Sequence, residues 1–200
     1  MNHLLIITAL QSEAEPIIKQ YRLEKKYHSE KLFYFQRDEI TCLTTGVGES
    51  NVRKRLGAFL ERMDCSNTVL VNIGIAGGKK SVTEIGKMYL VNKIISETNK
   101  NVWLLNNLLK TEIPEIQLTT VTKSVTNGGE KYEGLVDMEA AAIFETASKF
   151  ISAQQLYFLK IVSDYMEQVL DSPEQVLPLI TNKLPKIECF INLLKKTKKE

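Results

Sequence analysis

The sequence predicts an α/β protein whose central sheet is mixed and mostly parallel. Short apolar runs typical of buried strands are interleaved along the chain with stretches of helical spacing. One pair of runs flanks a tight turn at residues 37–38, which indicates a hairpin. Strands with interposed helices form parallel sheets covered by helices, and no linker or repeat divides the chain. We therefore expect a single α/β domain over residues 1–200.

The charge balance argues against a nucleic-acid partner. The 26 basic and 24 acidic residues give a formal net charge of +2, and much of the basic excess lies at residues 195–199. Such a terminal run is typical of a solvated helix end rather than of a binding stripe. With 44% hydrophobic residues, the 200-residue chain can still bury the core of one domain.

The cysteines indicate a reducing compartment. Cys42, Cys65 and Cys189 are far apart, and only two histidines accompany them, so we expect neither a disulfide framework nor a metal site. Carboxylates follow the apolar first residues too soon for a signal peptide, and no apolar run approaches the ~20 residues that span a bilayer. The sequence predicts a soluble cytoplasmic protein without membrane contact, metal or cofactor.

The chain opens with a strand over residues 4–9, a turn, and a helix over residues 14–21. The turn lies at the carboxyl end of a strand, where ligands bind in open α/β sheets. Glu13 is therefore a candidate site residue. Glu15 is the alternative, and an ordinary first-turn charge is the structural explanation for either.

Two strands over residues 31–36 and 40–45 form the hairpin, and the second leads through a Gly-Val-Gly segment into a helix over residues 51–63. Glycines between a strand and a helix allow a ligand to approach the backbone N–H groups at the helix N-terminus. Gly46 is thus a candidate contact, although a simple tight turn explains the segment equally well.

The most apolar strand covers residues 68–73 and leads into a small-residue loop at residues 74–78 (GIAGG). Four small residues in five positions make room for something bulky, either a ligand or another strand. The remaining predicted elements are a strand over 85–95, a helix over 102–109 ended by Pro114, a strand over 118–125, a strand over 155–162, and a last helix from Pro173 that is interrupted near Pro185.

Residues 136–145 (VDMEAAAIFE) combine two carboxylates with a run of strong helix formers. Asp137 stands where an N-cap is expected, and Glu139 lies in the first turn, where negative charge is favoured. The alanines offer a smooth face for close packing. An ordinary capped helix is the structural explanation of this segment.

Together these segments resemble the nucleoside phosphorylase and nucleosidase superfamily, most of all its methylthioadenosine/S-adenosylhomocysteine nucleosidase branch. The resemblance covers nearly the whole chain in order and implies a three-layer α/β/α fold. The motifs that carry it are residues 9–13 (ALQSE), 45–48 (TGVG), 72–78 (NIGIAGG), 136–142 (VDMEAAA) and 161–164 (IVSD).

The resemblance implies a hydrolase that cleaves the N-glycosidic bond of a purine nucleoside. Asp164, oriented by Ser163, would stabilise the departing base, since the reaction builds negative charge there. Glu139 would bind the ribose hydroxyls and favour the cation-like sugar, against which Met138 would pack. Glu13 would activate a water for attack at the anomeric carbon.

Further contacts with substrate are implied for Gly46, Ile75, Ala76, Gly77, Val136 and Lys160. Two of these depart from the family pattern. Ile75 stands where many nucleosidases have Ser or Thr to hold the attacking water, and Lys160 stands where Arg is frequent and lacks the bidentate fork of that side chain. The alternatives are a phosphorylase and a nucleoside-binding homologue without efficient turnover; few basic residues near the glycine segments favour hydrolysis over phosphorolysis.

The region between residues 95 and 118 is short for this family, in which it supplies part of the 5′-substituent pocket and of a homodimer interface. Trp103 is either what remains of that pocket or a core residue. The resemblance thus implies a homodimer and a nucleoside substrate, but leaves the 5′-group open between methylthioadenosine or adenosylhomocysteine and futalosine types.

Overall fold

The described part of the chain contains ten strands, five α-helices and a short 3-10 helix at Ala153–Gln155. The computed structural model describes residues 3–29, 32–105, 109–168, 170 and 172–196, apart from the side chains of residues 28 and 29. The strands are β1 (His3–Thr8), β2 (Glu24–Ser29), β3 (Leu32–Arg37), β4 (Ile40–Thr44), β5 (Thr68–Gly78), β6 (Met88–Ser96), β7 (Val102–Leu104), β8 (Glu115–Thr120), β9 (Leu135–Asp137) and β10 (Leu156–Asp164). The helices are α1 (Gln11–Tyr21), α2 (Glu49–Leu60), α3 (Ala140–Ala147), α4 (Pro173–Thr181) and α5 (Leu184–Lys196).

All strands belong to one mixed sheet. Its order is β10-β6-β8-β9-β5-β1-β4-β3-β2, with β7 against β6 and a further pairing of β10 with β5 that closes a circuit of five strands. Parallel ladders join β1 to β4 and β5, β5 to β10, and β8 to β6 and β9, and they contain most of the paired residues. The predicted mixed, mostly parallel sheet is confirmed.

Helices cover the sheet on both faces. Leu5 and Ile7 of β1 pack into the cluster that contains the apolar residues of α2 and α3. Leu4 and Ile6 of the same strand pack into the cluster that contains those of α1, α4 and α5. Since successive side chains of a strand point to opposite faces, this alternation places the sheet between two helical layers. The three-layer α/β/α fold is confirmed.

The small-residue segment at 74–78 is strand rather than loop. β5 continues to Gly78, pairing with β10 as far as Gly77 and with β9 at Gly77 and Gly78. The segment was predicted to be a loop because its glycines disfavour strands. In the structure those glycines admit neighbouring groups, and a Cβ at Gly78 would collide with Thr83 and Val162.

The predicted helix at 102–109 is wrong. Val102–Leu104 forms β7, which pairs with β6, while residues 106–108 lie outside the described part of the chain. Trp103 packs on Phe144 with ring centroids 5.3 Å apart, so it belongs to the core. Pairing with an existing strand outweighs a short helical pattern, because an isolated helix of that length is marginal.

Other elements differ mainly in their bounds. α1 begins at Gln11 rather than at residue 14, β8 covers Glu115–Thr120 rather than 118–125, and β2 was not predicted. The interruption near Pro185 is confirmed, since α5 begins at Leu184, immediately before it. No helix among the described residues is long and apolar enough to cross a membrane.

Candidate active site

The carboxyl ends of the adjacent parallel strands β1, β5 and β10 meet at a cavity of about 150 Å³. This is the edge where α/β sheets bind ligands. The structure brings nine of the predicted site residues to its wall: Glu13, Ile75, Ala76, Gly77, Val136, Met138, Glu139, Ser163 and Asp164. The other two, Gly46 and Lys160, are not among the residues that line it.

Glu13 is held by three backbone donors. Its Oε2 accepts hydrogen bonds from the N–H groups of Ala9 at 2.8 Å and Leu10 at 2.9 Å, and its Oε1 accepts one from Ile75 at 2.9 Å. An ionised carboxylate offers about four acceptor positions, so about one remains, on Oε1. The side chain is 2% exposed, and burial raises the pKa of Glu13 against the opposing effect of the Leu10 N–H group.

The space for that carboxylate comes from Gly74. A Cβ at this position would lie 2.8 Å from Oε1 of Glu13, closer than van der Waals contact permits. Gly74 in β5 and Glu13 in α1 are 61 positions apart in the sequence, but the carboxylate can lie where it does only because residue 74 has no side chain.

Glu139 is the residue immediately before α3, and its side chain is buried. Its Oε1 accepts a 2.7 Å hydrogen bond from the N–H group of Gly48, and its other carboxylate oxygen has no partner among the described residues. Burial and the neighbouring charge of Asp137 raise the pKa of Glu139 to about 7. The Gly48 N–H group and the Lys160 charge act in the opposite direction.

Asp137 is the last residue of β9, so its prediction as the N-cap of α3 is wrong. The N-cap is Glu139, two residues later, because β9 continues through Asp137 in its pairing with β8. Oδ2 of Asp137 still accepts a 2.9 Å hydrogen bond from the N–H group of Ala140, and thus stabilises the helix start from a strand position.

Lys160 forms an ion pair with Asp137 instead of facing the cavity. Its Nζ lies 2.9 Å from Oδ2 of Asp137, and the two side chains are 2% and 0% exposed. Burial lowers the pKa of Lys160, but the charges of Asp137, Glu139 and Glu13 outweigh it and raise the pKa overall. Lys160 is therefore a buried cation among three carboxylates.

Asp164 ends β10 and lines the cavity. Oδ1 accepts a 2.6 Å hydrogen bond from the N–H group of Met166, which is the turn-capping role, and Oδ2 lies 2.6 Å from Oγ of Ser163. Ser163 Oγ also lies 3.3 Å from the carbonyl oxygen of Ala76. A hydroxyl has one proton for these two acceptors, and the shorter distance favours donation from Ser163 to Oδ2 of Asp164, which fixes the orientation of the carboxyl group.

Sequence reasoning did not find the loop residues that complete the wall. Val121, Val125, Met166, Gln168 and Leu170 line it beside the predicted residues. In the sequence, the only features connected with the position of Met166 are two glycines far from it, Gly77 and Gly129. Its side chain fits only because Gly77 and Gly129 lack Cβ atoms; a Cβ at Gly77 would lie 2.7 Å from Cγ of Met166.

The described residues that line the cavity include no lysine, arginine or histidine. Arg53 is paired with Glu49 at 2.8 Å and Glu145 at 2.6 Å. Nζ of Lys79 lies 3.4 Å from the carbonyl oxygen of Glu130. Among the described residues, no three metal-binding side chains are grouped so as to hold an ion.

No protein-family model matches the chain, and no curated protein matches it. Solved structures do match it. The chain is similar to the 5′-methylthioadenosine nucleosidase of Arabidopsis thaliana, with a TM-score of 0.75 and 17% identity over 96% of each chain. It is also similar to the 5′-methylthioadenosine/S-adenosylhomocysteine nucleosidases of S. pneumoniae (TM-score 0.76, 14% identity, 96% of this chain and 99% of that one) and Neisseria meningitidis (TM-score 0.74, 14% identity, 94% and 96%). The first of these two holds a transition-state inhibitor and the second holds methylthio-immucillin-A. At these identities the likeness shows a shared fold.

Proposed function

We propose that this protein is a nucleosidase, a hydrolase that cleaves the N-glycosidic bond of a purine nucleoside into a free base and a ribosyl product. The observation that carries the proposal is the meeting of Glu13, Glu139 and Asp164 at one cavity from three separate elements. Each has a distinct set of hydrogen-bond partners. The inhibitor complexes of the structures with the same fold support the same type of substrate.

Glu139 is the ribose-binding group of this proposal. One of its oxygens accepts from Gly48 and the other has no partner in the described part of the chain, so the carboxylate can accept hydrogen bonds from sugar hydroxyls. Its negative charge also favours the cation-like sugar of the transition state. Met138 lines the cavity beside it and packs on the sugar.

Glu13 binds and activates the attacking water. Its three backbone donors fix the carboxylate and leave about one acceptor position, so it can hold one water in a defined direction. Burial raises the pKa of Glu13, which makes the carboxylate a stronger base for the water proton than an exposed glutamate.

Asp164 stabilises the departing base. Its carboxyl group shares a proton with N7 of the purine, and the Ser163 hydroxyl, which donates to Oδ2 at 2.6 Å, orients it. Such a donor lowers the barrier by neutralising negative charge as the C–N bond breaks. Ala76 and Gly77 provide backbone next to this group, and Val136 provides apolar surface.

The charge of the cavity favours hydrolysis over phosphorolysis. Phosphorolysis needs cations to hold a phosphate, but the lining has carboxylates and no basic residue, and Lys160 is engaged with Asp137. Water requires no such site. Base release that depends strictly on added phosphate would contradict this point.

The lining also favours an apolar 5′-group. Among the described residues of its wall, all are apolar apart from the carboxylates, Ser124, Ser163 and Gln168. Such a wall suits a purine ring and a thioether better than a charged substituent. We therefore rank methylthioadenosine before adenosylhomocysteine and futalosine.

The test is base release from methylthioadenosine, adenosylhomocysteine, futalosine, inosine and adenosine in phosphate-free buffer. We expect Asp164→Asn and Glu13→Gln each to lower kcat by ~10²–10⁴-fold. Glu15→Gln is the matched control for Glu13, because Glu15 is two residues away, has a partly exposed side chain and pairs with Lys19. Failure of all five nucleosides, or full activity of both variants, would exclude the proposal.

Ile75 supports one alternative, a nucleoside-binding protein with weak turnover. Its side chain lines the cavity but offers a water nothing, and its N–H group is already donated to Glu13. Tight nucleoside binding in calorimetry without base release would favour this alternative. Turnover that Glu13→Gln abolishes would exclude it.

We further propose a homodimer in the cytoplasm. β7 lies in the region where the family has part of its interface, and its Val102 and Leu104 are 51% and 74% exposed. Exposed apolar residues on an edge strand favour contact with another chain. The cytoplasmic assignment is supported by three unpaired thiols and is tested by cell fractionation.

A further inference from the structure

We propose that Lys160 is a positioning residue, which acts on Glu139 through the buried ion pair with Asp137. Its effect on turnover rests on the proposed function, whereas its effect on Glu139 does not. The sequence predicted Lys160 as a direct substrate contact, but its ammonium group points to Asp137 and does not line the cavity.

The geometry connects the ion pair to Glu139 through the start of α3. Asp137 accepts from Lys160 at 2.9 Å, from Oγ1 of Thr120 at 2.7 Å and from the N–H group of Ala140 at 2.9 Å. Thr120 in turn accepts from the N–H group of Ala141 at 2.9 Å. Ala140 and Ala141, which follow Glu139, thus donate to a network that includes the Lys160–Asp137 ion pair, and these bonds fix the backbone that carries Glu139.

The charges give Lys160 a second effect on Glu139. Asp137 from β9, Lys160 from β10 and Glu13 from α1 interact electrostatically with the Glu139 carboxylate. α2 also packs on α3, but its Glu49 and Arg53 pair with each other and with Glu145, at the other end of α3. Lys160 is the cation in this set and opposes the combined effect of burial and of Asp137 on Glu139.

The two members of the ion pair should therefore move the titration of Glu139 in opposite directions. Lys160→Met removes the cation and raises the titration midpoint of Glu139, by about one pH unit or more. Asp137→Asn removes a like charge and lowers the midpoint. Lys160→Arg keeps the charge and leaves the midpoint within ~0.3 units of wild type. A role in packing alone would not produce opposite signs.

The experiment follows the Glu139 carboxyl carbon by NMR from pH 4 to 9 in wild type and the three variants, with Glu139→Gln to assign the signal. Because buried Asp137 without its partner could prevent folding of Lys160→Met, the same comparison is made between Asp137→Asn and the double variant Lys160→Met/Asp137→Asn. Both charges of the pair are absent only in the double variant, and its Glu139 midpoint should lie above that of Asp137→Asn, because only the lysine has been removed between the two.

Opposite shifts support the proposal, and they do so whether or not the protein releases a base. Equal midpoints in the folded variants, or shifts of the same sign in the two single variants, overturn it. If the proposed function also holds, the lower limb of the pH profile of kcat/KM shifts with the NMR midpoint, while Lys160→Arg restores the wild-type profile. A wild type without turnover but with opposite shifts would refute the nucleosidase and leave the positioning role of Lys160 standing.

Discussion

Glu139 is a buried carboxylate close to the negative charge of Asp137, and the nearby Lys160 cation offsets that repulsion only in part. Burial and Asp137 raise its pKa to about 7, so near neutral pH it lies between its two protonation states. The ionised form is the one that accepts from ribose hydroxyls. The site thus maintains a charge that favours ligand binding at some cost to the stability of the fold.

This cost predicts a pH-dependent stability difference for Glu139→Gln. Between pH 4.5 and 7 the folded chain keeps a proton that the unfolded chain has lost, so stability falls as pH rises through this window and is constant above it. Glutamine is neutral throughout. We expect the variant to be more stable than wild type by about 1–3 kcal/mol at pH 8, with no difference near pH 4.5. Urea unfolding at four pH values measures this.

Glu145→Gln is the control of opposite sign. Although burial opposes it, hydrogen bonds from Arg53 and Asn99 lower the pKa of Glu145 overall. Its ionised form therefore stabilises the fold at neutral pH, and the glutamine variant should be slightly less stable than wild type at pH 8. Equal pH dependence of Glu139→Gln and wild type would contradict the prediction for Glu139.

Ile75→Thr should increase turnover. Threonine keeps the β-branch of isoleucine, lacks its terminal methyl group, and adds a hydroxyl to the cavity wall, next to the Oε1 of Glu13 that is left to hold water. One added hydrogen bond contributes about 1 kcal/mol, which corresponds to roughly a fivefold increase in kcat. Ile75→Val, which changes only size, should not increase it. A decrease of kcat in the threonine variant would show that this wall does not contact the attacking water.

At the scale of single residues, the sequence predicted the acids of the site but not all their partners. Glu13 could be identified from its place after the first predicted strand, whereas the roles of Glu139 and Asp164 came from the resemblance to the nucleosidases. The Lys160–Asp137 pair could not be predicted, because it depends on the pairing of β8 with β9 and on which face of β10 the lysine occupies.

The missing side chain at Gly74 of β5 leaves the space in which the Glu13 carboxylate lies. The variant Gly74→Ala tests whether turnover depends on that position. The added Cβ would lie 2.8 Å from Oε1 of Glu13, so the carboxylate must move. A displacement of this kind costs about 10²-fold in kcat. Turnover of the folded variant measures it, and near wild-type kcat would show that the position of Glu13 is not critical.

Gly57→Ala is the matched control, since it adds the same methyl group to α2. Its Cβ would lie 3.8 Å from Cγ2 of Thr146, an ordinary contact, and the residue is helical. Alanine in a helix should stabilise the protein by about 0.5–1 kcal/mol and leave kcat unchanged.

At the scale of elements, prediction succeeded where burial dominates. β1, β4, β5 and β10 are apolar enough to be recognised, because a strand covered on both faces must be apolar throughout. β7 was predicted as a helix, since its short apolar pattern fits both structures and the pairing with β6 is not visible in a single sequence. The end of β5 was also predicted wrongly, as a loop. Its glycines pair with β9 and make room for side chains from distant parts of the chain, and neither is visible in a single sequence.

The whole molecule has an exposed apolar edge at β7. This strand pairs with β6, and Leu104 is 74% exposed although it is apolar. If a second copy covers this edge, the protein is a dimer and Leu104 is buried in the assembly. We expect sedimentation to give twice the mass of one chain for wild type and the mass of one chain for Leu104→Glu, because a buried unpaired charge opposes association.

The control is Ile85→Glu, which places the same charge at another exposed apolar position, 53% exposed, and should stay dimeric. A monomeric wild type, or a dimer that survives Leu104→Glu unchanged, would show that this edge is not the interface, and the active site would then have to be complete within one chain.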